Sequence, residues 1–374
     1  MPAPRSKIAV VFAIPALDRG GPDRVLFELL CKLDRARFAP ELVVSSPQGS
    51  YLDALPPDVP VTVLGDEGSF RDRYPLVRTT RVLRRLAPDV VFGTQRMILT
   101  LGAVSAALPR RTRLVLRQAN DVTADFAALV ASSWIKHRVA RAGVLASLRR
   151  ADAVVCQSEA MRRDLQRQLG EGTDLRVIYN PIDVDEIGRR SEGTVRLPGS
   201  PALVSVGRLA AQKGYDLLLP AIARLREHHP ALHLTIFGDG PDRDKLLALR
   251  DQLGLASAVT FAGFSDAVLP AVRGADLFVL ASRYEGFPNA ALEALACGTP
   301  VVLTDCPGAN AEILRPGVNG RLASSTDPDH VASAVQRAIV ELASYDRGAI
   351  RDDCAARFGA ARIVSAYEQL FEGR

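Results

Sequence analysis

Short runs of β-branched and other apolar residues alternate along the whole chain with longer segments whose apolar positions recur every three to four residues. That alternation is expected of parallel sheets covered by crossover helices. Runs at 8–14, 42–45, 61–64, 90–92, 114–116, 153–156 and 176–179 predict a first set of strands, and runs at 202–206, 232–237, 259–261, 277–280 and 301–303 a second. Between the sets, residues 185–201 are polar and punctuated by Gly and Pro, with no clear helical or strand period, and the domain junction is placed there. The expected fold class is therefore α/β, with two doubly wound Rossmann-like domains. The first comprises residues 1–185 together with a C-terminal helix at about 357–374, and the second residues 186–356. Ligands of such sheets sit at the carboxyl ends of the strands, so two facing halves would share a central cleft. In the last helix, Ile363, Val364, Tyr367, Leu370 and Phe371 make one apolar face, as a terminal crossover requires.

Composition narrows this picture. A chain of 374 residues is too long for one small core, and 48% hydrophobic with 24% charged residues excludes disorder as its main theme. The five cysteines, Cys31, Cys156, Cys297, Cys306 and Cys354, form no CxxC and no zinc spacing, which points to a reduced, cytoplasmic compartment. Arg5 and Lys7 before the apolar run 8–17 imitate a secretory leader. A first strand followed by the turn Asp18-Arg19-Gly20-Gly21 explains the run equally well, and no small-x-small cleavage site follows it, so the strand is the favoured reading. The longest other uncharged stretch, 97–109, is short of the roughly 18 residues a bilayer span needs.

Charge is uneven: residues 1–195 carry 29 Lys/Arg against 22 Asp/Glu, and the remainder 18 against 20. Much of the excess lies in Arg71, Arg73, Arg78, Arg81, Arg84 and Arg85, and in Lys136, Arg138, Arg141, Arg149 and Arg150, the latter beside Trp134 and Ile135. Two solvated helix faces would explain these stretches, and so would peripheral docking on an anionic membrane or attraction of a phosphate-bearing substrate. No nucleic-acid-binding signature accompanies them.

Several common chemistries are missing. Gly238-Asp239-Gly240 lacks the third glycine of a dinucleotide fingerprint, which argues against a nicotinamide oxidoreductase, and no P-loop occurs. His229 and His233 have helical spacing without the glutamate of a zinc site. Asp183/Asp185, Asp242/Asp244 and Asp327/Asp329 imitate metal-binding pairs at about the frequency chance supplies.

Two segments carry positive signals. After the run 202–206 come Gly207, Arg208, Lys213 and Gly214: a glycine admits close backbone approach, and two cations near a helix start suit a diphosphate. Further on, 282–300 reads SRYEGFPNAALEALACGTP, a strand-loop-helix-strand pattern with Pro288 at the helix start and Gly298 at its stop. It puts Glu285 on a loop and Glu293 in the second helical turn, with free amides expected near Phe287, Asn289 and Ala290 to receive phosphate oxygens.

The ordered set Gly20-Gly21-x-x-Arg24, Asn180-Pro181-Ile182-Asp183, Gly207-Arg208 with Lys213-Gly214, Phe237-Gly238-Asp239-Gly240, residues 259–263 and 285–300, completed by Cys306-Pro307-Gly308 with Glu312 and by Asn319-Gly320, resembles the family-4 retaining glycosyltransferases of the GT-B fold. The resemblance spans essentially the whole chain and is most specific in its second half. It implies a metal-independent, retaining hexosyltransferase acting on a nucleoside diphosphate sugar, most simply a UDP-sugar, as substrate and requiring no separate cofactor. The acceptor would be a glycan, lipid-linked, in cell-surface polysaccharide biosynthesis. Arg208 and Lys213 would neutralise the donor diphosphate, Glu285 would hold hydroxyls of the transferred sugar and Glu293 the ribose. Gly238, Gly240 and Phe264 would lie near the base. Gly207, Gly286, Phe287, Asn289 and Ala290 would line the donor site, and Gly20 and Gly21 would let the first loop approach the phosphate or acceptor. Where many members carry a histidine, this chain reads Leu116-Arg117-Gln118-Ala119-Asn120-Asp121, so Asn120 or Gln118 would stand in as a neutral hydrogen-bonding group. A non-catalytic carbohydrate-binding or scaffold module of the same fold, and a soluble sugar-phosphate synthase, are the alternatives.

Overall fold

A computed structural model describes residues 7–18, 21–65, 75–119, 134–193, 195–265 and 268–374. The chain divides into two compact units, Met1–Pro181 with Ala361–Arg374, and Ile182–Ala360.

In the first unit β1 (Ile8–Ile14), β2 (Phe38–Val44), β3 (Val61–Val63), β4 (Val90–Thr94), β5 (Arg113–Arg117), β6 (Ala153–Cys156) and β7 (Leu175–Val177) form one sheet. Its order is β3-β2-β1-β4-β5-β6-β7, and every pairing is parallel. Strand alternation supplies a core on each face. Val10, Phe12 and Ile14 of β1 join the Gly21–Lys32 helix and the Ala360–Phe371 helix on one face, whereas Val11 and Ala13 meet Leu83, Ile98, Leu101 and Leu148 on the other. The terminal helix is a crossover held by aromatics: the Phe371 ring lies 5.9 Å from Phe12 and 5.8 Å from Phe92, and Tyr367 lies 5.7 Å from Phe92. Each ring buried this way contributes roughly 1.5–3 kcal/mol.

The second unit repeats the plan with β8 (Ala202–Val206), β9 (His233–Phe237), β10 (Val259–Gly263), β11 (Leu277–Leu280), β12 (Val301–Thr304) and β13 (Gly320–Ala323), ordered β10-β9-β8-β11-β12-β13 and again parallel. Residues that open as Gly320-Arg321 give no apolar run, so β13 is a strand the sequence pattern does not predict. It exists because Gly320 (φ 146°) lies so close to β12 that a Cβ there would sit 1.9 Å from the Val301 carbonyl oxygen.

A second correction falls in the polar stretch between the two strand sets. Residues Val184–Arg190 form a helix, whose start is capped by Asp183 Oδ1 accepting from the Glu186 amide at 2.9 Å. Asp185 and Glu186 in its first turn and Arg189 and Arg190 in its last complement the helix dipole. Only Val184 and Ile187 are buried, which leaves too few apolar positions to show a period.

In each sheet the strand order reverses beside the first strand, between β1 and β4 and between β8 and β11. Those two switch points are where a doubly wound sheet opens a crevice at its carboxyl edge.

Candidate functional site

At the second switch point, β8 runs into Gly207 and Arg208, a 3-10 turn at Ala211–Lys213 and then the Tyr215–His228 helix. β11 runs into residues 281–288 and the Asn289–Ala296 helix. Hydrogen bonds stitch these loops together. The Arg283 amide donates to Gln212 O at 2.8 Å, and Gln212 Nε2 donates to Tyr284 O at 3.1 Å. The Arg283 guanidinium grips both oxygens of Asp216, at 2.8 and 2.7 Å, and holds that carboxyl below its ordinary range.

The stitching brings together two residues that lie 72 positions apart. Lys213 Nζ donates to Glu285 Oε1 at 2.6 Å, and Ser282 Oγ donates to the same oxygen at 2.5 Å. Glu285 is 4% exposed. Its backbone amide donates to Pro307 O at 2.9 Å, and Thr304 Oγ1 donates to Ser282 O at 2.6 Å, so the loop carrying it is held from both sides. The second carboxylate oxygen, Oε2, makes no hydrogen bond to any described residue and is left to accept one from a ligand hydroxyl. Gly308 (φ 126°) makes this arrangement sterically feasible, since a Cβ there would fall 1.8 Å from the Glu285 carbonyl oxygen.

Arg208 is exposed and makes no hydrogen bond or ion pair with a described residue. It is an uncommitted cation at the end of the central strand. The neighbouring glycines have a packing reason: the Gly207 amide donates to Phe237 O at 3.0 Å, and a Cβ on Gly238 would fall 2.1 Å from Gly207 O. Likewise a Cβ on Gly240 would fall 2.4 Å from Leu209 O, so these positions let the loops after β8 and β9 lie backbone to backbone. Phe264, just past β10, is 71% exposed, a large aromatic face left in solvent.

The Asn289–Ala296 helix departs from expectation in one respect. The Asn289 amide is not free: it donates to Phe287 O at 3.0 Å, because the tight turn through Pro288 folds the chain back on itself. The amides of Gly286 and Ala290 have no acceptor among the described residues. No side chain caps this helix and its first turn holds no acid, so its positive end is uncompensated. The Phe287 side chain is 6% exposed and packs on Phe358 at 5.8 Å, so it anchors the loop and leaves only its backbone toward a ligand. Glu293 is half-buried one turn further along.

In the first unit, Gly20 and Asn120 lie outside the described residues, and Gly21 begins the Gly21–Lys32 helix. Gln118 is buried, its amide donating to Val155 O at 3.1 Å and its carbonyl accepting from Gln157 Nε2 at 2.9 Å. At the β1/β4 switch point a polar cluster appears that the sequence reading does not single out. Asp23 Oδ1 accepts from Gln95 Nε2 at 2.6 Å, with Gln95 itself at φ 55°. Arg117 is completely buried and donates through Nη2 to Asn180 Oδ1 at 2.7 Å, while its Nε and Nη1 have no acceptor among the described residues. Burial pushes the Asp23 carboxyl up to about 6, against the lowering effect of the Gln95 hydrogen bond and the Asp18 amide. Asn180 stands in the Asn180-Pro181-Ile182-Asp183 motif, but nothing in the sequence links it to Asp23, Gln95 and Arg117, which come from three other segments.

Other candidates have local explanations. Asp183 and Asp327 cap helices through the Glu186 and Asp329 amides, and Asp242 sits at a helix start beside Lys245. His229 pairs with Gln336 and His233 with Thr260. The five cysteines are free thiols. No group of three or more His, Cys, Asp or Glu side chains gathers as metal ligands among the described residues, and no helix among them is long and apolar enough to cross a membrane.

Residues 191–347 match the family described as "Glycosyl transferases group 1", and residues 19–186 that described as "Glycosyltransferase Family 4". The lipopolysaccharide core biosynthesis glycosyltransferase LpsE of Rhizobium meliloti is 31% identical over 233 residues, 62% of this chain and 67% of that protein. An N-acetylgalactosaminyltransferase of Campylobacter jejuni, named for a diphospho-undecaprenol acceptor, is 34% identical over 157 residues, 42% of each chain. The chain spans less than half the length of several curated relatives that it matches. The solved structure of Anabaena HepE in complex with UDP-glucose superposes with a TM-score of 0.78 at 20% identity, covering 98% of this chain and 100% of that one.

Proposed function

The chain belongs to the family-4 glycosyltransferases and has their GT-B fold of two Rossmann-like sheets, and from that premise we propose that it transfers a hexose or hexosamine, with retention and without a metal, from a nucleoside diphosphate sugar to a glycan acceptor. The observation that carries this reading is the Lys213–Glu285 pair, flanked by uncommitted Arg208 and an uncapped helix end. Such a site offers positive charge for a diphosphate and a carboxylate oxygen for a sugar hydroxyl, side by side. Arg208 binds the phosphates bidentately, Lys213 supplies a point charge, and the Ala290 amide adds a fixed donor. Glu285 Oε2 accepts from the transferred sugar and Glu293 from the ribose, and Phe264 offers its face to the base.

Retention then follows a same-face path. The anomeric carbon–oxygen bond breaks with its electron pair going to the leaving phosphate, the acceptor oxygen bonds the anomeric carbon from that face, and its proton passes to the phosphate. Asn120 or Gln118 contributes a neutral hydrogen bond to the reacting sugar. UDP-sugars are the leading donors, in keeping with the UDP-glucose complex of HepE. A lipid-linked acceptor in cell-surface polysaccharide synthesis is in keeping with the names of LpsE and the Campylobacter enzyme. Peripheral binding at the cytoplasmic face of an anionic membrane is supported by the Leu76–Leu86 helix, which exposes Arg78, Arg81, Arg84 and Arg85 around a 70% exposed Val77.

A panel of UDP-, GDP-, ADP- and dTDP-sugars, assayed by thermal shift and product formation with and without chelator, tests the reading. One nucleotide series stabilises the protein and supports transfer in chelator, and Glu285→Gln lowers turnover by about 10²- to 10³-fold. Transfer no faster than that of a Lys213→Ala protein favours a non-catalytic module, and near-normal turnover in Glu285→Gln removes the assignment of that residue.

A further inference from the structure

A second concentration of positive charge lies at the other end of the Asn289–Ala296 helix. A cavity of about 370 Å³ opens there, walled by Arg273, Arg347 and Arg351 and floored by small side chains that include Cys297 and Ser191. Ala290 and the lining residue Ala296 are six residues apart on this helix, about 9 Å at about 1.5 Å per residue, so the cavity is not part of the diphosphate site.

The three arginines are not equally committed. Arg347 donates to Arg273 O at 2.7 Å and Ala275 O at 2.5 Å, closing the carboxyl end of the Val268–Gly274 helix. Arg273 makes a single long contact, 3.3 Å to Ser191 Oγ. Arg351 makes two, 3.5 Å to Val184 O and 3.4 Å to Asp185 Oδ1, the latter a largely solvent-exposed carboxylate. A guanidinium carries five N–H donors, so most donors on Arg273 and Arg351 have no acceptor among the described residues. A Cβ at position 188 would come within 2.9 Å of the Arg351 guanidinium, so Gly188 leaves room for that side chain.

Nothing in the lining opposes an anion. It holds no carboxylate. Of the acids around it, Asp185 meets Arg351, Glu293 lies one turn back along the helix, Glu192 is exposed, and Asp346 accepts from the Gly348 and Ala349 amides through Oδ1. Burial pushes the Cys297 thiol up to about 11, so it stays neutral at physiological pH.

We propose that this cavity is a binding site for a phosphate monoester, with Arg273 and Arg351 gripping the dianion, Ser191 adding a hydroxyl and the remaining volume holding a sugar-sized substituent. The proposal is independent of the donor chemistry assigned above. It is tested on the full chain by calorimetric titration with inorganic phosphate and with glucose 6-phosphate, against chloride at matched ionic strength. Glucose 6-phosphate binds saturably, the double variant Arg273→Gln/Arg351→Gln weakens binding by about tenfold or more, and Lys213→Ala leaves it unchanged. Because the double variant could fold poorly, the wild-type protein is also treated with an arginine-directed dicarbonyl. Glucose 6-phosphate then protects Arg273 and Arg351 in the peptide mass map.

Vesicles of phosphatidylcholine doped with phosphatidic acid separate the two sources of a phosphate. Sedimentation that depends on Arg273 and Arg351 assigns a lipid headgroup, whereas arginine-dependent binding of the soluble ester with no vesicle sedimentation assigns a free metabolite. The proposal is overturned if neither probe binds saturably. It is equally overturned if binding survives loss of both arginines, or disappears only with Lys213.

Discussion

The two switch points solve opposite electrostatic problems on the same sheet architecture. Between β8 and β11 the charged groups are matched and held: Lys213 meets Glu285 at 2.6 Å, and Arg283 meets Asp216 in two bonds. Between β1 and β4 the groups are buried but poorly matched, with the Asp23 carboxyl raised and two nitrogens of Arg117 without acceptors among the described residues. A matched pair keeps its geometry when an anion arrives and so gives a preorganised site. An unmatched buried cluster is costly in the folded protein, and such groups are usually retained for a purpose other than stability. One unit thus carries a matched charge clamp and the other a buried, incompletely matched polar cluster.

The strongest way to break this contrast is Lys213→Ala. It removes a cation from the clamp and leaves Glu285 buried without its ion-pair partner, so turnover falls by about 10²- to 10³-fold and donor KM rises, while Arg117→Met in the other unit leaves donor KM near wild type. Steady-state kinetics on both variants decides it, and equal donor KM changes would show that the two switch points are not specialised as described.

Gly308→Ala asks whether the clamp is truly rigid. With φ 126° and a carbonyl oxygen 1.8 Å from the added Cβ, the loop over Glu285 must move. A loss of more than about 1 kcal/mol is expected, read as a lower unfolding midpoint in denaturant together with a lower kcat. A midpoint equal to wild type would mean the loop yields freely.

The smallest effect sharpens the incompletely matched side. The Asp23 carboxyl sits at about 6 in the folded protein against 3.8 in the unfolded chain, so between these values the folded state binds more protons. Stability attributable to this group is therefore full below pH 4 and declines as pH rises through 6. Asp23→Asn removes the decline, and its melting temperature relative to wild type rises from pH 4 to pH 8. A pH-independent difference would contradict the burial of that charge as the cause.

Much of this architecture was legible from periodicity. The first strand of each sheet, β6, β11 and the terminal helix at 360–371 stand where apolar spacing predicts them, since parallel strands buried on both faces must be apolar throughout. The strand β13 and the helix Val184–Arg190 escaped because one begins with Gly-Arg and the other buries two residues. At the site, Arg208, Lys213, Glu285 and Glu293 were readable as residue types at suggestive spacings. Ser282, Gln212 and Asp216, which hold them, had no role readable from spacing because each works through contacts made across the fold, and Gly308 stood in the family set without a stated role.

Residue order alone determined the number and kind of chain segments, the two halves and the family motifs, because hydrophobic period and turn chemistry act over a few neighbouring positions. Tertiary structure decided which distant charges meet, which amide near Pro288 is already taken, and which arginines beside Cys297 remain uncommitted. Those outcomes depend on distances and burial between segments far apart in the chain, and a linear pattern contains neither.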